Sequence, residues 1–394
     1  MPTPLLIISD GPTSGTGLGR ITRDLAARIE EHLPDVFEVA TLGYGGPYSR
    51  SLPFRQFKLD MKDWVIFNLP EVWDEFAGDR QGVVMTIWDA SRLLWFSRPE
   101  NCEVKSLQTF LMKPPFVRWG YFPIDATGVN DKLTGILKHT VEGYDRVLAY
   151  SAWAEAILKR TITLPTDHIP HGIDTSVFLP RPRIQARHGF GERIGARKQT
   201  GKWLTIPDDV YLIGIVATNQ ARKDFGLAFQ IVTELIKQGK KAHVWIHTDV
   251  LERHWSVPAL VHDFDLTDKV IVTILPLTDE QMSWCYSACD VTLGIGNGEG
   301  YGFPIFESLA CGTPCIHGNY GGAAEHLPDE FKVTPAIQRI EGVYNCIRNN
   351  YWHADWVWKI LQLPKRTGES LLPSHLDWTN LWLRWEEWLR KGVA

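Results

Sequence analysis

Residues 297–316 read NGEGYGFPIFESLACGTPCI, and this stretch sets glycines, a proline and two acids in an order that implies one local geometry. The glycines ahead of Pro304 permit a tight turn with close backbone approach, and Pro304 suits the first turn of a helix. Amide N–H groups at such a helix start have no partner within the helix and point at whatever lies ahead of it, so a diphosphate oxygen or a sugar hydroxyl satisfies them. Glu307 falls about one turn into that helix, where a carboxylate can accept hydrogen bonds from two adjacent hydroxyls such as those of a ribose. Glu299 stands in the loop on the other side of the turn, within reach of the hydroxyls of a sugar. The two acids therefore read as grips on the two ends of one nucleotide-sugar. A bare Glu-x7-Glu pair is a weak signal, and the flanking GYGFP and CGTPCI make this one specific.

Outward from this stretch, Val210–Thr218, Ala242–Thr248, Val270–Leu275, Asp290–Ile295 and Thr313–Ile316 read as short buried strands, with helices at Phe225–Lys237, Asp279–Ala288 and Pro304–Cys311. The N-terminal half has the same rhythm. Leu5–Ser9 is a strand, Gly11–Gly19 a glycine-rich loop, and Ile21, Leu25, Ala26 and Ile29 have helical spacing, the opening unit of a doubly wound domain. Further strands are predicted at Phe37–Leu42, Trp64–Asn68, Val83–Trp88 and Arg146–Ser151. The expected organisation is α/β: an N-terminal Rossmann-like acceptor domain over 1–178, a basic linker over 179–204, a C-terminal Rossmann-like donor domain over 205–375, and a C-terminal helix over 376–394. The two domains are expected to face one another across a cleft. In the tail, Leu381, Trp385, Trp388 and Leu389 share one helical face that Trp378 and Trp382 widen, a stripe expected to be buried by packing back on the N-terminal domain.

A chain of 394 residues exceeds what one hydrophobic core usually organises, and 44% hydrophobic with 22% charged residues is ordinary for a globular protein. No apolar run approaches the roughly 20 residues needed to span a bilayer, and no basic leader precedes Leu5-Leu6-Ile7-Ile8. The six cysteines form no Cys-x-x-Cys pair, which predicts reduced thiols and a cytoplasmic location, or the host cytoplasm for a viral chain. No metal is expected: Asp263-Phe264-Asp265 reads as a turn, and His171 and His317 as packed or hydrogen-bonded residues. A net charge of −5 argues against coating nucleic acid through bulk charge, although the Lys- and Arg-rich segment 181–202 is a local exception that reads first as a solvated face.

The stretch GEGYGFPIFESLACGTPCI resembles the donor motif of the large retaining GT-B glycosyltransferases, family 4-like or glycosyl transferases group 1, which include sucrose and trehalose-phosphate synthases and many bacterial and viral enzymes. Other segments agree in order: SGTGLGRITRDLA (14–26) with the N-terminal glycine loop, YSAWAEAILKR (150–160) and IPHGIDTSVFLP (169–180) with the interdomain region, NQARKDFGLAF (219–229) with the basic donor segment, and GGAAEHL (321–327) with the stretch after the donor motif. The resemblance implies a GT-B fold and transfer of a hexose from a UDP- or GDP-sugar to an acceptor hydroxyl with retention, and no cofactor beyond that co-substrate. It implies that Glu299 contacts the donor sugar and Glu307 the ribose. Amides around Tyr301, Gly302, Phe303 and Pro304 serve sugar and phosphate, Lys223 and Arg222 meet the diphosphate, and Gly17 and Gly19 allow close approach of the N-terminal loop. Two departures stand out. Asn219 or Thr218 occupies the region where many members carry an arginine, and Trp88-Asp89 replaces their His-Asp.

Asp89 follows the apolar run VVMTIW and should sit at a strand's carboxyl end, either taking a proton from the acceptor or simply capping a turn. Trp64, Trp73, Trp88, Trp95, Trp119, Tyr121 and Phe122, among Arg92, Arg98, Lys105 and Arg118, are candidates to stack an acceptor. That acceptor is a carbohydrate or another small molecule, or, in the alternative, a modified base in phage DNA. A GT-B-fold epimerase, or a protein that binds a nucleotide-sugar without transferring it, is a second alternative.

Overall fold

The chain folds into two compact α/β units in a computed structural model that describes residues 1–198 and 200–393; Gln199, inside the segment read as a linker, and Ala394 lie outside the described residues. One unit comprises Met1–His171, Ile340–Cys346 and the chain from Trp382 onward, and the other comprises Gly172–Arg339 and Ile347–Leu381.

The N-terminal unit contains β1 (Thr3–Asp10), β2 (Phe37–Tyr44), β3 (Arg55–Lys58), β4 (Met61–Lys62), β5 (Val65–Ile66), β6 (Gly82–Thr86), β7 (Phe116–Phe122), β8 (Arg146–Ala149) and β9 (Thr166–His168). Seven of these make one parallel sheet in the order β3-β2-β1-β6-β7-β8-β9. Leu5 to Ile8 of β1 are fully buried because both faces of a central parallel strand are covered, hence the unbroken apolar run. Leu5 pairs in register with Val39 of β2 and Val83 of β6. The helix Gly17–His32 returns over the sheet on its face of Ile21, Leu25, Ala26 and Ile29, and Thr16 caps it by accepting from the Gly19 N–H.

The structure corrects several expectations here. Trp64–Asn68 is not a strand of the parallel sheet: only Val65–Ile66 is extended, as β5 of a two-stranded hairpin in whose turn Asp63 and Trp64 adopt positive φ (49° and 69°), and the helix Leu69–Ala77 with Pro70 in its first turn begins after Asn68. Strands β3, β7 and β9 were not anticipated, since β3 and β9 are half-exposed edges with polar residues and β7 interrupts its apolar pattern with Arg118 and Gly120. Among the aromatics expected to stack an acceptor, Trp73, Trp88, Trp95, Trp119, Tyr121 and Phe122 are all core residues. Trp64 alone of that set is exposed, at 37%.

The C-terminal unit carries β10 (Tyr211–Val216), β11 (Ala242–His247), β12 (Val270–Thr273), β13 (Val291–Gly294), β14 (Cys315–Gly318) and β15 (Lys332–Val333) in a parallel sheet ordered β12-β11-β10-β13-β14-β15. A separate ribbon pairs β16 (Ile337–Glu341) with β17 (Cys346–Asn350). Helices occupy Phe225–Lys237 and Asp279–Ala288 as predicted, the second opened by a capping box in which Thr278 and Gln281 bond each other's backbone.

The described residues of 179–204, expected as a basic linker, are partly helical. They contribute helices Arg183–His188 and Phe190–Ile194 to the C-terminal unit, and Arg187 is fully buried. A buried guanidinium is tolerated only when paired and saturated with acceptors. Arg187 pairs with Asp290 at 2.6 Å and donates to the carbonyls of Pro207, Val210 and Ala288 at 2.8–3.0 Å. Arg193 stacks on Trp284 and Arg197 on Trp203, with guanidinium-to-centroid distances of 4.0 and 3.6 Å.

The C-terminal helix spans Trp378–Lys391. From Trp382 onward it belongs to the N-terminal unit, where Trp385 meets Tyr121 and Trp388 meets Trp119 edge-on at 5.0 and 5.1 Å. Arg146 lies over the Trp388 ring at 4.1 Å and donates to the Trp388 carbonyl at 3.1 Å, fixing the last turn of the helix. Among the described residues no helix is long and apolar enough to cross a membrane.

Candidate functional site

The residues singled out in the C-terminal half converge at the carboxyl end of β13. Beyond Gly294 the chain runs alongside residues 222–224, with Asn297 N–H donating to the Arg222 carbonyl (2.8 Å), Asp224 N–H to the Ile295 carbonyl (2.9 Å), and an antiparallel bridge between Lys223 and Gly296. This backbone register aims two cations at one acid. Arg222 Nη1 lies 3.1 Å from Glu299 Oε2, and the Lys223 ammonium pairs with the same oxygen. Arg222 also donates to the Gly298 carbonyl at 3.1 Å. Side-chain exposures of 24%, 13% and 12% for Arg222, Lys223 and Glu299 leave the cluster half-enclosed.

Burial raises the Glu299 pKa, but the charges of Arg222 and Lys223 outweigh it and hold the carboxyl at about 2. A folded-state pKa depressed below the ordinary 4.5 gives stabilisation that is complete above that value and lost as pH falls towards about 2. The melting-temperature gap between wild type and Glu299→Gln should therefore be widest near neutrality and shrink steadily below about pH 4.5. Melting curves across that range check it, and a gap independent of pH would contradict the pairing.

Gly302 precedes the helix Phe303–Ala310 with φ of 86°, a left-handed conformation that glycine adopts without strain. A Cβ there would also stand 2.8 Å from Glu299 Cγ, so this glycine sets the position of the acid as well as the turn. Pro304 lies in the first turn, and Tyr301 and Phe303 pack ring to ring at 5.1 Å beside it. Gly321 (φ 87°), from the stretch GGAAEHL, backs the same loop: a Cβ would meet the Glu299 carbonyl at 2.6 Å. Glu307, expected to hold a ribose, is only 3% exposed, and its Oε2 accepts from the Tyr286 hydroxyl at 2.7 Å. Tyr286 comes from the helix Asp279–Ala288, so a neighbouring helix fixes the Glu307 rotamer.

The other singled-out residues have contacts of their own. Asn219 is fully buried, and its side chain is committed to the loop 250–255: Oδ1 accepts from Trp255 N–H at 2.9 Å and Nδ2 donates to the Trp255 carbonyl at 2.7 Å. Those bonds shape that loop. Gly17 is the first residue of the helix Gly17–His32, and Gly19 serves the Thr16 cap. His317, near the end of β14, was anticipated as a packed or hydrogen-bonded residue. It is 1% exposed and shares a 2.6 Å hydrogen bond between Nδ1 and the Gly294 carbonyl; burial lowers its pKa, so the imidazole beside Glu299 and Lys223 is neutral.

In the N-terminal unit Asp89 follows β6 and precedes a 3-10 turn, with Arg92 Nε at 3.7 Å. Asp10, not singled out by its sequence context, ends β1. It accepts from Trp88 Nε1 at 2.9 Å and from Thr16 at 2.7 Å, tying the indole that replaces the expected histidine to the glycine-rich loop. Among the described residues one trio, Glu155, Asp167 and His168, has ligand-type atoms within 4.8 Å of one another, but Glu155 already holds Lys159 and His168.

Residues 202–334 match the family model described as Glycosyl transferases group 1. A D-inositol 3-phosphate glycosyltransferase from Pseudarthrobacter chlorophenolicus is 27% identical over 193 residues, covering 48% of this chain and 42% of that protein. The chain thus spans less than half the length of this curated relative. Sucrose-phosphate synthase from Thermosynechococcus elongatus superposes with a TM-score of 0.68 at 16% identity, covering 99% of both chains. Anabaena HepE in complex with UDP and glucose gives 0.60 at 13% identity, over 85% of this chain and 86% of that one. The fold shared with these structures is GT-B.

Proposed function

We propose that this chain, which belongs to the GT-B glycosyltransferases through residues 202–334 and its fold, moves a hexose from a UDP- or GDP-sugar to an acceptor hydroxyl with retention of configuration. The observation that carries the reading is the convergence of Arg222 and Lys223 on Glu299, next to the left-handed Gly302 and the start of the helix Phe303–Ala310. Two cations already paired with a carboxylate can exchange it for the two phosphates of a donor. That exchange releases Glu299 to accept hydrogen bonds from the hexose hydroxyls. As the glycosidic bond breaks, negative charge grows on the leaving diphosphate, where Lys223, Arg222 and the helix-start amides stabilise it without a metal. The departing phosphate oxygen takes the acceptor proton, so no separate base is needed, and Glu307, oriented by Tyr286, holds the ribose.

The solved complex of HepE with UDP and glucose supports a donor of the UDP-sugar type. A DNA acceptor draws no support from segment 181–202, since Arg187 is buried on Asp290 and Arg193 and Arg197 lie against tryptophans.

A melting-temperature screen with UDP-, GDP-, ADP- and CMP-sugars tests the proposal, because a ligand specific for the folded state stabilises it by mass action, about 2.7 kcal/mol at a hundred times its Kd. A UDP- or GDP-sugar should raise the melting temperature most. Nucleotide should be released only when an acceptor is added, which separates transfer from epimerisation. No stabilisation and no release with any of these donors would sink the catalytic claim.

A further inference from the structure

Each of the two large sheets ends in two edge strands, and an edge leaves a row of backbone N–H and C=O groups without a ladder partner. Three of the four edges are blunted. β3 begins on Arg55 and ends on Lys58, with Arg55 paired to Glu75. β9 is three residues long and carries Asp167 and His168, and Arg384 donates to its His168 carbonyl at 2.6 Å. β15 is two residues long. β12, the outer strand of the C-terminal sheet, has none of these devices: Val270–Leu275 reads VIVTIL, and no charged residue follows Lys269 until Asp279. A run of residues with high β-propensity and neither charge nor proline is the composition that pairs with another strand when left open.

The pairing of β12 with β11 shows which groups are left over. Val244 N–H donates to the Lys269 carbonyl at 2.8 Å and Thr248 N–H to the Thr273 carbonyl at 3.0 Å, in a register that sets Ile246 beside Val272. Backbone groups alternate sides along a strand, so Lys269, Ile271 and Thr273 serve β11, and Val270, Val272 and Ile274 turn theirs outward. Among the described residues no strand pairs on that side. The side chains are open too. Thr273 is the one buried residue of β12, while Val272 is 36%, Ile274 46% and Leu275 70% exposed.

We propose that β12 is the contact between two copies of this chain, paired antiparallel across a two-fold axis at Val272, so that the six-stranded sheet continues from one copy into the other. The outward groups fit this partner in their present arrangement. Val272 meets the partner's Val272 and Val270 meets the partner's Ile274, each pair exchanging both of its N–H···O bonds. β-branched and aliphatic side chains then lie directly opposite one another, which stabilises an antiparallel ladder. A segment whose pairing groups are centred on one residue is complementary to itself, as an isologous interface requires, and such an interface closes at two copies. The lack of charge points the same way, since selecting a different protein calls for groups that reject other partners, and VIVTIL carries no such charge. One pair of short strands buries less than the roughly 1,200 Å² of a standard interface, so the dimer is reversible, with a dissociation constant on the order of 10 µM.

Sedimentation equilibrium over roughly 1 µM to 1 mM tests the assignment, with hydrogen exchange of backbone amides measured at both ends of that range. The wild-type protein should pass reversibly from one chain mass to two. The Val270, Val272 and Ile274 amides should exchange at least about tenfold more slowly in the concentrated sample. Val272→Lys sets two ammonium groups against each other on the axis and should raise the dissociation constant about a hundredfold, while its melting temperature in dilute solution stays close to wild type. Val272→Thr, β-branched and uncharged, should keep the dimer within about threefold of wild type. A single chain mass at every concentration would overturn the proposal and leave the edge to an extended segment of a different protein. A dimer that Val272→Lys does not weaken, amide exchange that ignores concentration, or growth into species larger than two copies would each do the same.

Discussion

Lys223→Ala is expected to lower kcat by about 10²–10³-fold, the usual consequence of removing one group that stabilises charge developing in a transition state. The geometry makes this a clean experiment. Glu299 retains Arg222 Nη1 at 3.1 Å, so the carboxylate is not left without a cation, and the melting temperature should fall only modestly. Lys223 and Arg222 meet the same oxygen, but Arg222 also donates to the Gly298 carbonyl at 3.1 Å, so it is less free to take over the lost charge. Steady-state kinetics with the donor found in the screen, alongside melting curves, gives the answer. An unchanged kcat in a well-folded variant would remove Lys223 from leaving-group stabilisation and with it the main electrostatic argument for the mechanism.

Glu307→Ala should act on donor affinity, with Kd for the nucleotide-sugar rising about 10²-fold as two hydrogen bonds from ribose hydroxyls to a charged acceptor are lost. Part of the effect is local. The variant leaves the Tyr286 hydroxyl without its 2.7 Å acceptor in a buried position, which costs about 1–3 kcal/mol of stability. Tyr286→Phe separates the two contributions, since it removes the buried hydrogen bond and keeps the carboxylate. Calorimetric titration of nucleotide-sugar into both variants is the measurement. Equal affinity in Glu307→Ala and wild type would refute the ribose role.

The cluster beyond β13 was more legible than the surroundings of the N-terminal aromatics, for a reason visible in the residues. The turn, the helix start and both acids lie within nine residues, Glu299 to Glu307, so local backbone preferences of glycine and proline alone nearly fix their arrangement. Strands such as β1 and β10 were legible for a similar reason, since continuous apolar runs bounded by polar residues suit strands buried on both faces. The N-terminal candidate stacking residues come from the β4–β5 hairpin, the helices and loops after it and β7, and nothing in the order of residues says that Trp64 is the one of them that stays exposed.

Sequence by itself determined the two α/β units and singled out Glu299, Arg222 and Lys223, because burial periodicity and the glycine-and-proline punctuation are local properties of the chain. Only the tertiary structure decided what each charged or aromatic group faces. It committed the Asn219 side chain to the loop 250–255, gave segment 181–202 two helices that bury Arg187 on Asp290, and put all but Trp64 of the candidate stacking residues into the core. Each of those outcomes depends on partners far away in sequence. The pairing energy of Arg187 and the strain at Trp64 exist only once the sheets are formed, and no periodicity records them.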